Sequence, residues 1–337
     1  MSAVPSDATA PTPAPTSARA ADRVPAVGVL LPRDLPARLV VPYARRAEEL
    51  GFDELWVVED LGFRGGIAQA ATVLASTSAL RVGIGVLPAG ARQVAFAAME
   101  LGSLAELFPG RVDAGVGHGM AGWMRSVGAW PASPLTLLEE YATALRRLLR
   151  GEDVTVAGRY VRLESALLET PPDVVPDVLL GVRGPRSLAL SGAVAEGTVL
   201  AEPVTPEYAR AALADVAATR PHRVVAYNVA SVDADGGAAL AAVRPGLEWI
   251  GDPDWAPHLA PLPFAAELAE LRASSPDRAA FARRLPDEWV ARLAVVGTPD
   301  AARARLRALG EAGVTSSVLI PVGTDPSAAL ERLAAVL

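Results

Sequence analysis

The chain reads as an α/β protein, a (β/α)8 TIM barrel with an insertion after the seventh strand. Three observations predict this. Short continuous apolar runs alternate with amphipathic helical stretches from residue 25 onward. Strands of that kind are buried on both faces, so they belong to a parallel sheet covered by helices. The runs number eight, which is the count that closes a barrel, although an open doubly wound sheet shares the local pattern. Finally, 337 residues of which 51% are hydrophobic can fill one large core.

Residues 1–22 hold four Pro, seven Ala and six Ser or Thr, with no apolar periodicity. Residues 1–24 are therefore expected to be a disordered tail ahead of a barrel domain spanning 25–337. The tail has no apolar h-region, so a secretory signal is not expected; a cleaved transit segment is the second reading, disfavoured by little amphipathic pattern and by Arg19 as its single basic residue.

Residues 27–31 are the first strand. The helix 35–50 repeats Leu39, Val40, Tyr43, Ala47 and Leu50 at helical spacing. It stops at Gly51, where a left-handed residue is wanted. Residues 55–58 are the second strand, 67–79 an Ala-rich helix, 82–87 the third strand, and 91–107 a helix stopped by Pro109-Gly110. Residues 112–116 are the fourth strand. Ser133-Pro134 reads as an N-cap with proline at N1, opening a helix that runs to Arg150. Residues 154–163, around Ala157-Gly158-Arg159, read as an inserted hairpin. Strands five, six and seven fall at 178–182, 198–201 and 224–232, with helices 185–195 and 206–218 between them. Residues 233–290 carry Trp249, Trp255 and Trp289 and read as irregular helices over one barrel face. A helix from Thr298-Pro299 to near Gly310, strand eight at 314–320 and a closing helix at 327–337 complete the domain.

Composition excludes several kinds of chemistry. A net charge of −7 argues against a nucleic-acid surface. No apolar run approaches the ~18 residues of a membrane span, so a soluble, cytoplasmic protein is expected. There is no cysteine, hence no disulfide, thiolate nucleophile or zinc–thiolate site. All 31 basic residues are arginine, which rules out a Schiff-base or P-loop lysine. His118, His222 and His258 lie too far apart in sequence to suggest a metal site.

In a barrel the site lies at the C-terminal strand ends. The stretch 107–130 supplies the fourth of these, with Gly115, Gly117, His118, Gly119 and Gly122 followed by Trp123, Met124 and Trp130. Closely spaced glycines let a backbone approach a flat or anionic ligand, or they simply make a tight turn. The bulky residues behind them are core or a pocket wall. Strand three ends in Gly83-Ile84-Gly85-Val86-Leu87-Pro88, and strand five in Gly181-Val182-Arg183-Gly184-Pro185-Arg186-Ser187. Proline at N1 leaves free N–H groups beside Gly184 and Ser187, and with Arg186 this suits a phosphate; an ordinary helix start is the other reading. Glu59-Asp60 after strand two either caps the next helix or places Asp60 against a ligand. His118 is a proton donor, a ligand contact or a satisfied loop histidine.

The segments GFDELWVVED (51–60), RVGIGVLP (81–88), GRVDAGVGHG (110–119), GVRGPRSLALSGAVAEGTVL (181–200) and VGTPDAARARLRALGEAGV (296–314) carry a resemblance. In this order they resemble the bacterial-luciferase-like superfamily of flavin- and deazaflavin-dependent oxidoreductases. The similarity is greatest to the coenzyme F420-dependent, methylene-tetrahydromethanopterin reductase-like branch. The resemblance implies an isoalloxazine-type ring at the strand ends and a non-proline cis peptide at Gly85-Val86. It implies cofactor contacts from Asp60, Gly85, Val86, Gly117, His118, Gly119, Arg183, Gly184, Pro185, Arg186 and Ser187. His118, Asp60 and Glu59 become the catalytic candidates. Two departures stand out: Leu61 replaces a histidine that many deazaflavin members carry, and Met120 replaces the dehydrogenases' glutamate. Alcohol oxidation needs a base, so hydride transfer from reduced F420 to an activated C=C or C=N of a small organic substrate fits better. The alternatives are an FMN-dependent two-component monooxygenase using O2, and a non-catalytic cofactor-binding barrel. Expected partners are the small-molecule substrate, a separate flavin or F420 reductase, and a second copy in a homodimer.

Overall fold

The computed structural model describes residues 24–337. The expected disordered tail lies outside them, except for Val24. Eleven strands are present: β1 (Ala26–Leu30), β2 (Glu54–Val57), β3 (Arg81–Pro88), β4 (Val112–Gly117), β5 (Val154–Ala157), β6 (Arg162–Ala166), β7 (Asp177–Gly181), β8 (Gly197–Leu200), β9 (Arg223–Val232), β10 (Val295–Gly297) and β11 (Ser316–Pro321). Eight of them close into an all-parallel barrel in the order β1-β2-β3-β4-β7-β8-β9-β11, with β11 returning to β1. These eight are the predicted ones. β5 and β6 form the predicted antiparallel hairpin.

The helices fall near their predicted places, for local reasons. The helix Val40–Leu50 ends at Gly51, which is left-handed at φ 91° and donates to the Ala47 and Glu48 carbonyls. Three details differ from expectation. Ser133 stands at the start of the helix Pro134–Leu149, but its Oγ bonds the Thr136 hydroxyl at 2.8 Å and caps no backbone N–H. A short helix, Ala121–Ser126, forms where the glycines suggested only loop. β10 is a three-residue strand that extends the far end of β9 outside the barrel, too short for its pattern to be seen. Among the described residues no helix is long and apolar enough to cross a membrane.

The main core lies between sheet and helices. A second apolar cluster joins Leu247, Ile250, Phe281 and Leu293 to Val229 and Ile320, seating the segment after β9 on the barrel's C-terminal side. The lumen holds a third, with Trp56, Leu179, Val199, Val225, Tyr227 and Val318.

Below that layer a polar plug closes the N-terminal end of the barrel. The Arg223 guanidinium donates to Asp113 at 2.6 Å, to Asp177 at 3.1 Å and to Glu54 at 3.3 Å. Arg81 also donates to Asp113, while Ser316 and the Trp56 indole donate to Glu54. Six barrel strands are thereby linked through one group of charges. Glu54 is 3% exposed and Asp113 is fully buried. Burial, then the neighbouring Asp113, push the Glu54 carboxyl above its usual range, against Ser316, Trp56 and Arg223. Removing one partner of such a group leaves uncompensated buried charge, which costs about 3–5 kcal/mol. The variant R223A should therefore lose about that much unfolding free energy in urea titrations. A loss below about 1 kcal/mol would show that the plug contributes little to stability.

Candidate active site

The register sets Pro88, Gly117, Gly181 and Val199 side by side at the C-terminal rim. In β3 an extra residue fits between Ile84 and Leu87, because Ile84 pairs with Ala114 but Leu87 with Val116. The Gly85-Val86 peptide in that bulge is cis, as the resemblance implied. The bulge swings the Val86 side chain over its neighbours. A Cβ on Gly117 would lie 2.7 Å from a Val86 methyl, and one on Gly181 2.5 Å from the other. A Cβ on Gly83 would strike the Trp56 ring, and one on Gly85 the Tyr227 hydroxyl. These glycines thus make room for protein side chains in the lumen. Gly85 and Val86 themselves remain partly open at the mouth.

The fourth and fifth predicted strand ends, β4 and β7, meet at one point. His118 Nε2 lies 3.2 Å from Ser187 Oγ, with donor and acceptor set by the histidine tautomer. The helix Pro185–Val194 starts from Gly184 in extended conformation with no side-chain cap, so its first N–H groups are unclaimed by a capping side chain. Pro185 and Arg186 are exposed there. Burial lowers the His118 pKa, and the nearby Pro134 carbonyl only partly offsets this. Gly119 is left-handed at φ 71°, and Met124 packs beneath it as core. Trp123 and Trp130 are part-exposed.

The two predicted acids part company. Glu59 accepts two bonds from Arg92, at 2.8 and 3.1 Å, and one from the Gly66 N–H that opens the next helix. It braces the scaffold. Asp60 instead pairs with Arg33 at 2.6 Å, and Arg33 stacks over Phe63. Arg183 turns toward the segment after β9, donating to the Asp254 carbonyl at 3.0 Å and lying over the Trp255 ring.

Two further residues near these charges were given no role by the sequence, although Glu202-Pro203 is legible as the end of the sixth barrel strand. Glu202, two positions beyond β8, precedes a cis proline and is surrounded by protein while part of its surface stays open. Tyr227 is 5% exposed, and its hydroxyl, beside the Gly85 bulge, has no hydrogen-bond partner among the described residues. A lone Glu-Pro and a lone Tyr in an apolar strand carry no local signal. A surface concavity of about 460 Å3 between Pro42 and Leu330 contains none of the predicted site residues.

A closed parallel barrel with a charged rim and an uncapped helix start beside it defines the class as a (β/α)8 barrel with its candidate site at the C-terminal strand ends. The chain belongs to the luciferase-like monooxygenase family, whose sequence profile matches residues 16–316, and is an oxidoreductase. It is 28% identical over 311 residues to a 5,10-methylenetetrahydromethanopterin reductase of Methanolobus tindarius, covering 88% of this chain and 95% of that one. It is 30% identical over 325 residues to an F420-dependent glucose-6-phosphate dehydrogenase of Intrasporangium calvum, covering 88% and 93%. The solved coenzyme F420 dependent tetrahydromethanopterin reductase of Methanopyrus kandleri superposes with a TM-score of 0.79 at 21% identity, covering 92% and 97%.

The buried roof of the site has a measurable pH signature. His258 stacks on Tyr208 at 4.4 Å and is fully buried. Burial, then the Arg183 charge, lower its pKa from 6.5 to about 3. The folded state therefore refuses a proton that the unfolded chain takes up below 6.5. Stability is complete above that pH and is lost as pH falls toward 3. The variant H258F keeps the stack, and its melting temperature should fall less steeply between pH 6.5 and 4.5 than the wild type's. Parallel curves would contradict this role.

Proposed function

We propose that this chain reduces an activated C=N or C=C bond of a small organic molecule with coenzyme F420 as hydride source. The observation that carries the reading is the His118–Ser187 contact at an uncapped helix start, on the same rim as the open Gly85-Val86 bulge. One feature suits a flat ring and the other an anionic tail. The unpartnered Tyr227 hydroxyl beside the bulge also fits a polar ring placed there. Two relatives with F420-dependent or methanopterin-reducing activity in their names support the cofactor and the reaction class.

When bound, the 5-deazaflavin would supply hydride chemistry, because carbon in place of a flavin ring nitrogen disfavours the one-electron steps by which a reduced flavin reacts with oxygen. The chain's own residues do the rest. Gly85 and Val86 back the ring. Gly117, His118, Gly119, Gly184, Pro185, Arg186 and Ser187 receive the tail, with N–H dipoles, a hydroxyl and one guanidinium. Arg183 holds the overlying segment against the rim. Asp60, held by Arg33, orients substrate or ring, while Glu59 fixes the loop that carries it. Met120 and Leu61 leave no base for alcohol oxidation at the positions the dehydrogenases use, which favours the reducing direction.

FMN with O2 is the second reading, and the family's description as monooxygenases supports it. Phe96 and Met99, 64% and 54% exposed on one side of the helix Val94–Leu107, support a homodimer across that face.

Fluorescence titration with F420 and with FMN tests the reading. F420 should bind, and R186A should weaken it by about 10-fold, the worth of a hydrogen bond to a charged group. An unchanged affinity would place the tail elsewhere. Binding of FMN alone, with oxygen uptake in its reduced form, would select the monooxygenase.

A further inference from the structure

We infer that Glu202 is the proton donor of the reaction. The inference rests on the reduction proposed above, which needs one proton for every hydride.

The other two carboxylates and the histidine at the mouth are each engaged. Glu59 is held by Arg92 and the Gly66 N–H, Asp60 by Arg33, and His118 by Ser187. Among the described residues the Glu202 carboxyl takes no hydrogen bond from another residue; its one donor is its own backbone N–H. Its backbone is nevertheless well fixed. The Val204 N–H donates to Asn228 Oδ1 at 2.9 Å, and Thr205 caps the helix Pro206–Val216. A carboxyl on a rigid support, deep in protein yet open on one side, is placed to face a bound molecule.

The charges around it come from several elements. Arg183 stands after β7, Asp60 after β2 and Arg33 after β1. Burial, and then the charges of Glu202, Glu54 and Asp60, hold the Tyr227 hydroxyl of β9 in its protonated form. The Arg183 charge also acts on Tyr208 and His258. Tyr227 links the carboxyl to the chemistry, because its hydroxyl lies against Gly85, where the ring would sit. Burial raises the Glu202 pKa, with Asp60 acting in the same sense and Arg183 and Arg33 against it. Such a group keeps its proton to higher pH than an ordinary glutamate and can give it up on demand.

The hydride that a reduced 5-deazaflavin would supply, the coenzyme being oxidised by two electrons as the substrate is reduced, adds to the substrate carbon. The π pair of the C=N or C=C bond moves to the neighbouring atom and forms a bond to the Glu202 proton. The O–H bond of Glu202 breaks, leaving a carboxylate that regains a proton from water on its open side.

Three measurements on the variant E202Q test this. Difference infrared spectra at neutral pH, wild type minus E202Q, should show the C=O band of a protonated carboxylic acid. Fluorescence titration should give F420 affinities for the two proteins within about 3-fold. Turnover, probed with 5,10-methylenetetrahydromethanopterin and with 2-cyclohexen-1-one, should fall by at least about 100-fold, as loss of a general acid implies. If E202Q does not fold, E202D should keep the acid band and lose about 10-fold or more in turnover. Absence of the band, or turnover of E202Q within 3-fold of wild type, overturns the donor role while F420 binding stands. Failure of the wild type to bind F420 ends the proposed function, and this role with it.

Discussion

The Val86 side chain, thrown inward by the extra residue in β3, dictates what its neighbours can be. Its methyls occupy the space where Gly117 and Gly181 would carry a Cβ. An alanine at either position would have to push the bulge back or open the barrel, because interiors packed to crystal density transmit such strain. Tyr227 and Trp56 impose the same condition on Gly85 and Gly83. The bare strand ends at the rim are thus one packing solution shared by β3, β4 and β7. The partly open bulge that results is the surface offered at the mouth.

The lumen is built in layers, as barrels of this size require. Along β9 the inward positions run Arg223, Val225, Tyr227. The first neutralises the floor, the second fills the middle, and the third carries a hydroxyl up to the rim. β2 repeats the idea with Glu54 and Trp56. Charge is therefore placed at both ends of the lumen and kept out of its middle. At the floor the charges are paired with one another, and they stabilise the barrel. At the rim Asp60 and Arg33 are paired, but among the described residues the Glu202 carboxyl and the Tyr227 hydroxyl have no partner in another residue. Unpaired polar groups next to an opening are the mark of a place where something else binds.

Much of this architecture can be read from the residues alone. Alternating apolar runs and amphipathic helices point to the eight barrel strands, and Gly51 marks a helix end by its need for positive φ. The cis peptide comes from family resemblance, since nothing in Gly85-Val86 itself asks for one. The reason for the glycines is not legible, because Val86 and Gly181 are brought together only by the closed sheet. Arg223 has its partners 46 to 169 residues away, so spacing cannot reveal the floor. The divergence of Glu59 from Asp60 likewise depends on Arg92, which arrives from another loop. Glu202 and Tyr227 are ordinary residues until the fold sets them beside the bulge.

Diffraction from crystals of the protein grown with F420 tests the central claim most directly. Density for the ring should lie against Gly85 and Val86, with the anionic tail at the helix start near Ser187. A ring lodged elsewhere, or a rim closed by protein atoms while the coenzyme sits at another site, would contradict it.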